Sequence, residues 1–219
     1  MDSLGSDSGD GDDRADKAAG LGGGAVPLDP RARAVLDFWF GVPGSAQYGR
    51  PRAEWFVKKP AFDAEIRARF LDLHGRADAG ALAHWADHAH GLLALIVLLD
   101  QFPRNMFRGQ PGAFASDTAA LTNARLMVAR GWDLQLPPVM RGFVYLPYEH
   151  SESLAAQEEA LRLFERVLED PALADWPAWA RKHHEVIRRF GRFPHRNQVL
   201  GRASTPDEIE FLRQPGARF

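Results

Sequence analysis

Hydrophobic residues recur along most of the chain with the three-to-four-residue spacing of amphipathic helices. Val35, Leu36 and Trp39 follow this spacing directly after Asp29-Pro30, a pair that suits the cap and the first turn of a helix. No segment alternates polar and apolar residues for long enough to make a strand. The pattern therefore predicts an all-α fold, a compact bundle of about eight helices.

Short connections between the predicted helices favour antiparallel packing of neighbours. The third helix contains an unbroken apolar run from Leu92 to Leu99 and is expected at the centre of the bundle. Gly191 is expected to end the seventh helix as a left-handed cap, and Thr205 with Glu208 predicts a capping box at the last. The predicted helices cover residues 29–40, 62–73, 91–101, 116–131, 138–145, 151–169 and 175–191, and the last begins at 205.

The beginning of the chain differs from the rest in composition. Residues 1–28 carry six acidic side chains against two basic ones and contain glycine-rich stretches with little to bury. We predict a disordered acidic tail over 1–28 and a single all-α domain over 29–219. The acidic start does not fit a secretory signal, and the longest apolar run is far short of the roughly 20 residues of a membrane helix. A cytoplasmic protein without a membrane partner is the expectation.

The 219 residues include no cysteine, which excludes disulfides, thiolate metal sites and cysteine nucleophiles. The net charge is −2, and basic residues alternate with acidic ones, a pattern that argues against a nucleic-acid partner. His84 and His88 have the spacing of two metal ligands on one helix face but lack a third ligand nearby. The sequence therefore predicts no metal site and no cofactor.

Two segments about ninety residues apart resemble each other. The first corner, Asp100–Gly109, contains Phe-Pro-Arg-Asn, and the second corner, Arg189–Asn197, contains Phe-Pro-His-Arg-Asn. Because proline disfavours helical geometry in the residue before it, each segment is expected to leave its helix and to present arginine and asparagine on a turn. If the corners meet, their arginines form a pocket for a carboxylate or a phosphate. If they do not meet, the same arginines satisfy the carbonyl groups at their own helix ends.

A third polar segment, Glu149–Glu152, lies between the corners. The cap and the acidic first turn of a helix explain Ser151 and Glu152 but leave Glu149 and His150 unexplained. A histidine flanked by carboxylates can act as a general base. His183 lies on the apolar stripe of the seventh helix, where a lone histidine is usually a hydrogen-bonded core residue.

Together these segments resemble the bacterial domain-of-unknown-function 924 family over about residues 33–213. The resemblance rests on Val35–Gly41, Trp55-Phe56, Phe62-Asp63, Leu98–Asn105, Phe107–Gly109, Tyr145–Pro147, Glu149–Glu152, His183, Arg189–Asn197 and Leu200–Arg202. It implies a compact all-α protein with a tetratricopeptide-like arrangement of helix pairs. It also implies that His183, rather than its neighbour His184, is the functional histidine of that helix. The family name assigns no activity.

Three hypotheses follow. The first is a small-molecule site that binds an anionic ligand and performs acid–base or hydrolytic chemistry without a metal. Its predicted catalytic residues are Glu149, His150, His183 and His195, and its predicted ligand-binding residues are Asp100, Gln101, Arg104, Asn105, Arg108, Glu152, Arg192, Arg196 and Asn197. The second is a non-enzymatic tetratricopeptide-like module for a peptide partner, which exposed Tyr48, Trp55 and Tyr148 would favour. The third is a rigid protein whose polar motifs only lock helix ends.

Overall fold

The computed structural model describes residues 27–217, and within that range all regular structure is helical, in eight helices. The predicted tail lies outside the described residues apart from Pro27 and Leu28, and Leu28 packs against the core. The helices are α1 (Pro30–Phe40), α2 (Pro60–Asp78), α3 (Ala89–Ile96) continuing through a π turn (Val97–Gln101) into α4 (Phe102–Met106), α5 (Asp117–Ala129), α6 (Pro138–Glu149), α7 (Leu154–Phe164), α8 (Trp176–Phe190) and α9 (Pro206–Leu212).

Local capping signals place several helix ends where the sequence predicts them. The Asp29 carboxylate accepts from the backbone N–H of Arg31 at 2.8 Å at the start of α1. Gly191 ends α8 with a φ of 68°, the left-handed conformation that a glycine adopts without strain. Thr205 and Glu208 make both hydrogen bonds of a capping box at α9.

The centre of the core is α3, as the unbroken apolar run predicts. All residues from Leu92 to Leu99 are buried, and α3 packs against α1, α5 and α6. An aromatic cluster extends this core, with the rings of Trp55 and Phe143 at 4.7 Å and those of Trp39 and Phe143 at 5.7 Å. Helices that follow one another also pack together, α5 with α6, α6 with α7, and α7 with α8. The bundle therefore surrounds one largely apolar helix.

Several predicted helix boundaries are wrong, including the end of the sixth helix, which lies at Phe164 rather than at residue 169. The third helix does not end at residue 101 but continues through the π turn to Met106. The fifth continues beyond Tyr145 to Glu149, because burial of every residue from Val139 to Glu149 outweighs the unfavourable Pro147. The sixth begins at Leu154 with Ser153, not Ser151, at the cap position. Within residues 27–217, no helix has both the length and the hydropathy needed to cross a bilayer.

Candidate functional site

The first corner is not a helix exit, contrary to the sequence prediction. Phe102 keeps helical backbone angles, with φ at −62° and ψ at −38°, and its N–H bonds to the Val97 carbonyl five residues earlier. This wider turn carries Asp100 and Gln101 into the interior, where both side chains are buried. π turns of this kind occur mostly as single insertions in α-helices and are frequent at functional sites.

A side chain from α5 supports the proline within this helix. Pro103 has no N–H to donate to the Leu99 carbonyl one turn earlier. The Ser116 hydroxyl donates to that carbonyl instead, at 2.7 Å. Because the freed acceptor finds a partner, the helix continues where the Phe-Pro pair alone predicts an end.

The second corner has the predicted geometry. After Gly191, Phe193 adopts an extended conformation with φ at −87° and ψ at 107°, and a short 3₁₀ turn, Pro194–Arg196, follows. The ring of Phe193 is fully buried. Arg196 is consequently directed into the protein, with only 8% of its side chain exposed.

The two corners meet at Asp117, in the first turn of α5. One of its carboxylate oxygens accepts from Arg104 Nη1 at 2.9 Å, and the other accepts from Arg196 Nη1 at 3.1 Å. Arg196 Nη2 also donates to the His150 carbonyl at 2.9 Å. Both guanidinium groups lie against Phe114, at 5.8 Å and 4.5 Å from its ring centre. Two arginines distant in sequence thus share one carboxylate.

Each of these arginines keeps an N–H group without a hydrogen-bond partner among residues 27–217. The two atoms are Arg104 Nη2 and Arg196 Nε, and both are buried. A buried unsatisfied donor costs about 1–3 kcal/mol, so such groups are uncommon in a folded protein. Each arginine therefore keeps unused hydrogen-bonding capacity inside the protein.

His150 contacts the same cluster through Asp100. Its Nδ1 lies 2.8 Å and 3.0 Å from the two Asp100 oxygens, and 15% of its side chain is exposed. Asp100 is ionised and can only accept, so Nδ1 carries the proton and Nε2 holds the free electron pair. No described residue bonds to Nε2. Asp100, rather than the neighbouring Glu149 expected from the sequence, therefore orients this histidine.

Glu149 points instead towards α8. Its Oε1 lies 3.1 Å from Nδ1 of His183, and the same nitrogen donates to the Trp179 carbonyl at 2.9 Å. His183 is buried, and its ring lies 6.4 Å from that of His150. This pair joins the end of α6 to α8 behind the arginine cluster.

Burial and local charge separate the protonation states of these groups. Burial alone would raise the pKa of Asp100, but Arg104 and His150 outweigh it and hold that pKa well below its usual range. Burial raises the pKa of Glu149 to about 8, and the Asp100 charge adds to the effect. Burial lowers the pKa of His150, with the Arg104 guanidinium contributing, and lowers that of His183 to about 3. Near neutral pH, Asp100 is charged while Glu149 and both histidines are mainly neutral.

Several residues predicted for the site lie in other networks. Arg108 pairs with Asp63 at 2.9 Å on the surface, and Asn105 donates to the same carboxylate. Arg192 pairs with Glu208 at 2.7 Å, and Asn197 donates to that carboxylate at 3.1 Å. These two networks fasten α2 to α4 and the second corner to α9.

The remaining predicted residues are Gln101, Glu152 and His195. Gln101 donates to Asp100, and Glu152 accepts from the Phe193 N–H at 2.8 Å and pairs with Arg202. The ring of His195 lies beside that of Phe193, at 5.5 Å. Gln101 thus contacts Asp100, whereas Glu152 and His195 contact Phe193 of the second corner.

Sequence reasoning missed the residue that unites the corners. The sequence predicts a helix that begins at residue 116, and Asp117 in its first turn needs no further explanation because an acidic residue there stabilises the helix dipole. Ser116 was missed because a serine before a helix is an ordinary cap residue. In the structure its hydroxyl makes no cap hydrogen bond in α5 and donates instead to the Leu99 carbonyl in the π turn. No local signal distinguishes these residues from ordinary helix-start residues.

The described residues contain no group of three or more histidine, aspartate or glutamate side chains arranged to hold a metal ion. One cavity of the described part is lined by residues of α1 and the start of α3, and another by Arg189, Arg192 and the start of α9. Neither is lined by Arg104, Arg196 or His150. The cluster reaches solvent through the partly exposed edges of Arg104 and His150.

Comparison with known proteins gives a family without an assigned activity. A family model described as a bacterial protein of unknown function, DUF924, matches residues 35–216. The chain belongs to the DUF924 family. A solved structure of a protein of unknown function from Agrobacterium tumefaciens is 38% identical, with a TM-score of 0.73, and the match covers 84% of this chain and 97% of that one. No curated protein matches the sequence. Membership of DUF924 therefore supports the fold and leaves the chemistry to the site.

Proposed function

We propose that the cluster of Arg104, Arg196 and His150 binds a small anionic molecule, a carboxylate or a phosphate, and that His150 transfers a proton to or from it. The observation that carries this proposal is the pair of buried, unpartnered N–H groups on two arginines joined by Asp117. Arginine donors are well matched to the oxygens of such anions. Bound ligand oxygens would satisfy both donors at once.

The charges around the cluster favour an anion that is exchangeable. The negative charges of Asp117 and Asp100 compensate the positive charges of the two guanidinium groups, so the cluster carries no unpaired charge without a ligand. The raised pKa of Glu149 keeps that carboxyl group mainly uncharged at neutral pH, so it adds little repulsion. The exposed fraction of Arg104, 20% of its side chain, gives a ligand access from solvent.

The proposed chemistry is proton transfer at His150 Nε2. Asp100 holds the proton on Nδ1, which leaves Nε2 free to accept a proton from water or from a ligand hydroxyl. Arg104 and Arg196 would stabilise the oxygen that becomes negative. Hydrolysis and other metal-independent acid–base reactions both fit this arrangement.

The two alternative hypotheses receive different support. Trp55 and Tyr148 are buried, so two of the three aromatic residues whose exposure would favour a peptide groove are not exposed. The bonds from Arg104 to the Asp100 carbonyl and from Arg196 to the His150 carbonyl are of the kind that the helix-locking hypothesis requires. The experiment must therefore separate ligand binding from stability.

A thermal-shift screen with phosphorylated metabolites and small carboxylic acids makes this separation. We expect at least one compound to raise the Tm of the wild type and of Arg108→Met, which removes a surface arginine paired with Asp63. The same compound should fail to raise the Tm of Arg104→Met and Arg196→Met, whatever their own starting Tm. His150→Asn should keep the shift and lose any turnover of the compound.

The screen also has outcomes that contradict the proposal. If no compound raises the wild-type Tm, or if Arg104→Met and Arg196→Met respond as the wild type does, the arginines only lock helix ends. Arg104→Lys preserves the charge but replaces the planar guanidinium with a single ammonium group, and a lost shift in this variant would assign the effect to the guanidinium geometry rather than to the charge.

A further inference from the structure

The cavity lined by α1 and the start of α3 lies away from the Arg104 cluster, and the loop after α1 completes its lining. Its volume is about 160 Å³. Its polar lining among the described residues consists of Arg33, Asp37, Tyr48, His88 and His90. None of these side chains belongs to the Arg104 cluster, so this inference does not depend on the proposed function.

The motif Val35–Gly41 supplies one wall of the cavity. Val35, Trp39 and Phe40 are fully buried and explain the apolar part of this motif. Asp37 has no such role, because it is only partly buried and its side chain has no hydrogen bond or ion pair with another described residue. It is the charged member of the motif, and it lines the cavity.

Arg33 lies one helical turn before Asp37 on the same face of α1. Arginine and aspartate four residues apart on a helix commonly pair. These two side chains form no ion pair with each other in the structure, and both line the cavity. One wall therefore presents a cation and an anion that do not neutralise each other directly.

The loop after α1 holds Tyr48 at the same cavity. Gly41 has a φ of 88°, and a Cβ at this position would come within 3.1 Å of the Tyr48 backbone nitrogen. The Gly49 N–H closes the loop by donating to the Phe40 carbonyl at 3.0 Å. The glycine at position 41 thus allows the loop to lie close against the end of α1.

The rest of the lining includes the imidazoles of His88 and His90 and the apolar side chains of Leu36 and Met140. Loss of water around His90 lowers the pKa of its imidazole, and the Arg33 guanidinium lowers it further. Arg33 is therefore the group that supplies fixed positive charge here, with Asp37 supplying the negative charge.

We propose that this cavity binds a small zwitterion of amino-acid size, with its carboxylate at Arg33 and its ammonium group at Asp37. Arginine binds carboxylates through two parallel N–H groups, and the Asp37 carboxylate and Tyr48 hydroxyl can accept from an ammonium group. The carbon chain of the ligand would lie against Leu36 and Met140. A cavity of about 150 Å³ holds benzene, so this one suits a ligand of roughly six to eight non-hydrogen atoms.

The test is a titration of the full chain with zwitterions and with singly charged analogues. Isothermal calorimetry with glycine, β-alanine and γ-aminobutyrate is compared with butyrate, which lacks the ammonium group, and butylamine, which lacks the carboxylate. We expect at least one zwitterion to bind tenfold or more tightly than either analogue. We also expect Arg33→Met and Asp37→Asn each to weaken that zwitterion by tenfold or more.

Matched variants assign the effect to this cavity. Asp72 and Arg76 on α2 have the same residue types four positions apart on an exposed face, and Asp72→Asn and Arg76→Met should leave the affinity unchanged. Arg104→Met should also leave it unchanged, which distinguishes this site from the first.

Three results would overturn the proposal. In the first, butyrate or butylamine binds as tightly as the best zwitterion. In the second, Arg33→Met and Asp37→Asn both bind that zwitterion with unchanged affinity. In the third, none of the three zwitterions binds at millimolar concentration. The comparison of ligands uses the wild type alone, so the proposal stays open to refutation even if a variant fails to fold.

Discussion

Glu149 and His150 are adjacent in the sequence, yet their side chains occupy opposite environments. His150 reaches a charged aspartate and the edge of the solvent, whereas Glu149 is enclosed beside His183 without a cationic partner within hydrogen-bond reach. Burial without such a partner favours the uncharged form of a carboxyl group. The same peptide segment therefore supplies a histidine with a defined tautomer and a carboxyl group that stays protonated.

The raised pKa of Glu149 predicts a loss of stability at alkaline pH. Between its ordinary value of 4.5 and about 8, the folded state binds more protons than the unfolded state, so the free energy of unfolding falls as pH rises. Glu149→Gln removes this contribution. From about pH 6 to about pH 8, we expect the wild type to lose about 1–2 kcal/mol more than Glu149→Gln, as measured by urea denaturation.

Glu158→Gln is the control, because it removes an exposed carboxylate from α7. It should follow the wild-type dependence on pH. The buried histidines act in the opposite direction, because their lowered pKa values reduce stability as pH falls below about 6.5, and they do so in the wild type and in both variants. Parallel curves for the wild type and Glu149→Gln would contradict the assignment of the alkaline loss to Glu149.

The π turn shows how a neighbouring helix can change the meaning of a local signal. Phe102-Pro103 predicts a helix end, and the same pair at Phe193-Pro194 does follow one. At the first position the Ser116 hydroxyl satisfies the Leu99 carbonyl, and the helix continues. The same dipeptide thus has two settings. Pro103 lies inside a helix that Ser116 supports, whereas Gly191 ends α8 before Phe193-Pro194 begins.

Ser116→Ala should destabilise the protein through this carbonyl. The substitution leaves the buried Leu99 oxygen without its side-chain donor, at a cost of about 1–3 kcal/mol in the free energy of unfolding. Thr122→Ala is the matched control, since its hydroxyl also donates to a carbonyl, that of Thr118, but on an exposed helix face. Chemical denaturation of both variants measures the difference, and equal small losses would show that the π turn does not need Ser116.

Asp117 connects parts of the chain that are far apart. It links α4 to the turn after α8 through Arg104 and Arg196, and Arg196 extends the connection to the end of α6. Ion pairs that are mostly removed from water are costly to break singly, because the remaining charge is left without compensation. Asp117 is accordingly expected to contribute to stability as well as to hold both arginines at the proposed site.

A double-mutant cycle tests this connection. Asp117→Asn and Arg196→Met should each lower the free energy of unfolding by about 2–4 kcal/mol, and their coupling energy should exceed about 1 kcal/mol. The control cycle pairs Asp117→Asn with Arg192→Met, whose partner is Glu208 in a separate network. Those two effects should add within about 0.5 kcal/mol. Additivity in both cycles would mean that the contact between the corners contributes little.

The all-helical class, the central position of the apolar helix and the caps at Asp29, Gly191 and Thr205 are predictable from the amino-acid sequence alone. These features depend on periodicity and on short-range hydrogen bonds, which neighbouring residues specify completely. The polar motifs also predicted Arg104 and Arg196 as ligand-binding residues and His150 as a catalytic residue.

How those side chains combine depends on the packing of the helices. This packing joined Arg104 to Arg196 through Asp117, assigned Asp100 rather than Glu149 to His150, and moved Arg108 and Arg192 into other ion pairs. Ion pairs and hydrogen bonds between helices depend on distances across the bundle, and helical periodicity specifies which face is buried but not which residue lies opposite it. The partner of each charge was for this reason undetermined until the helices were packed.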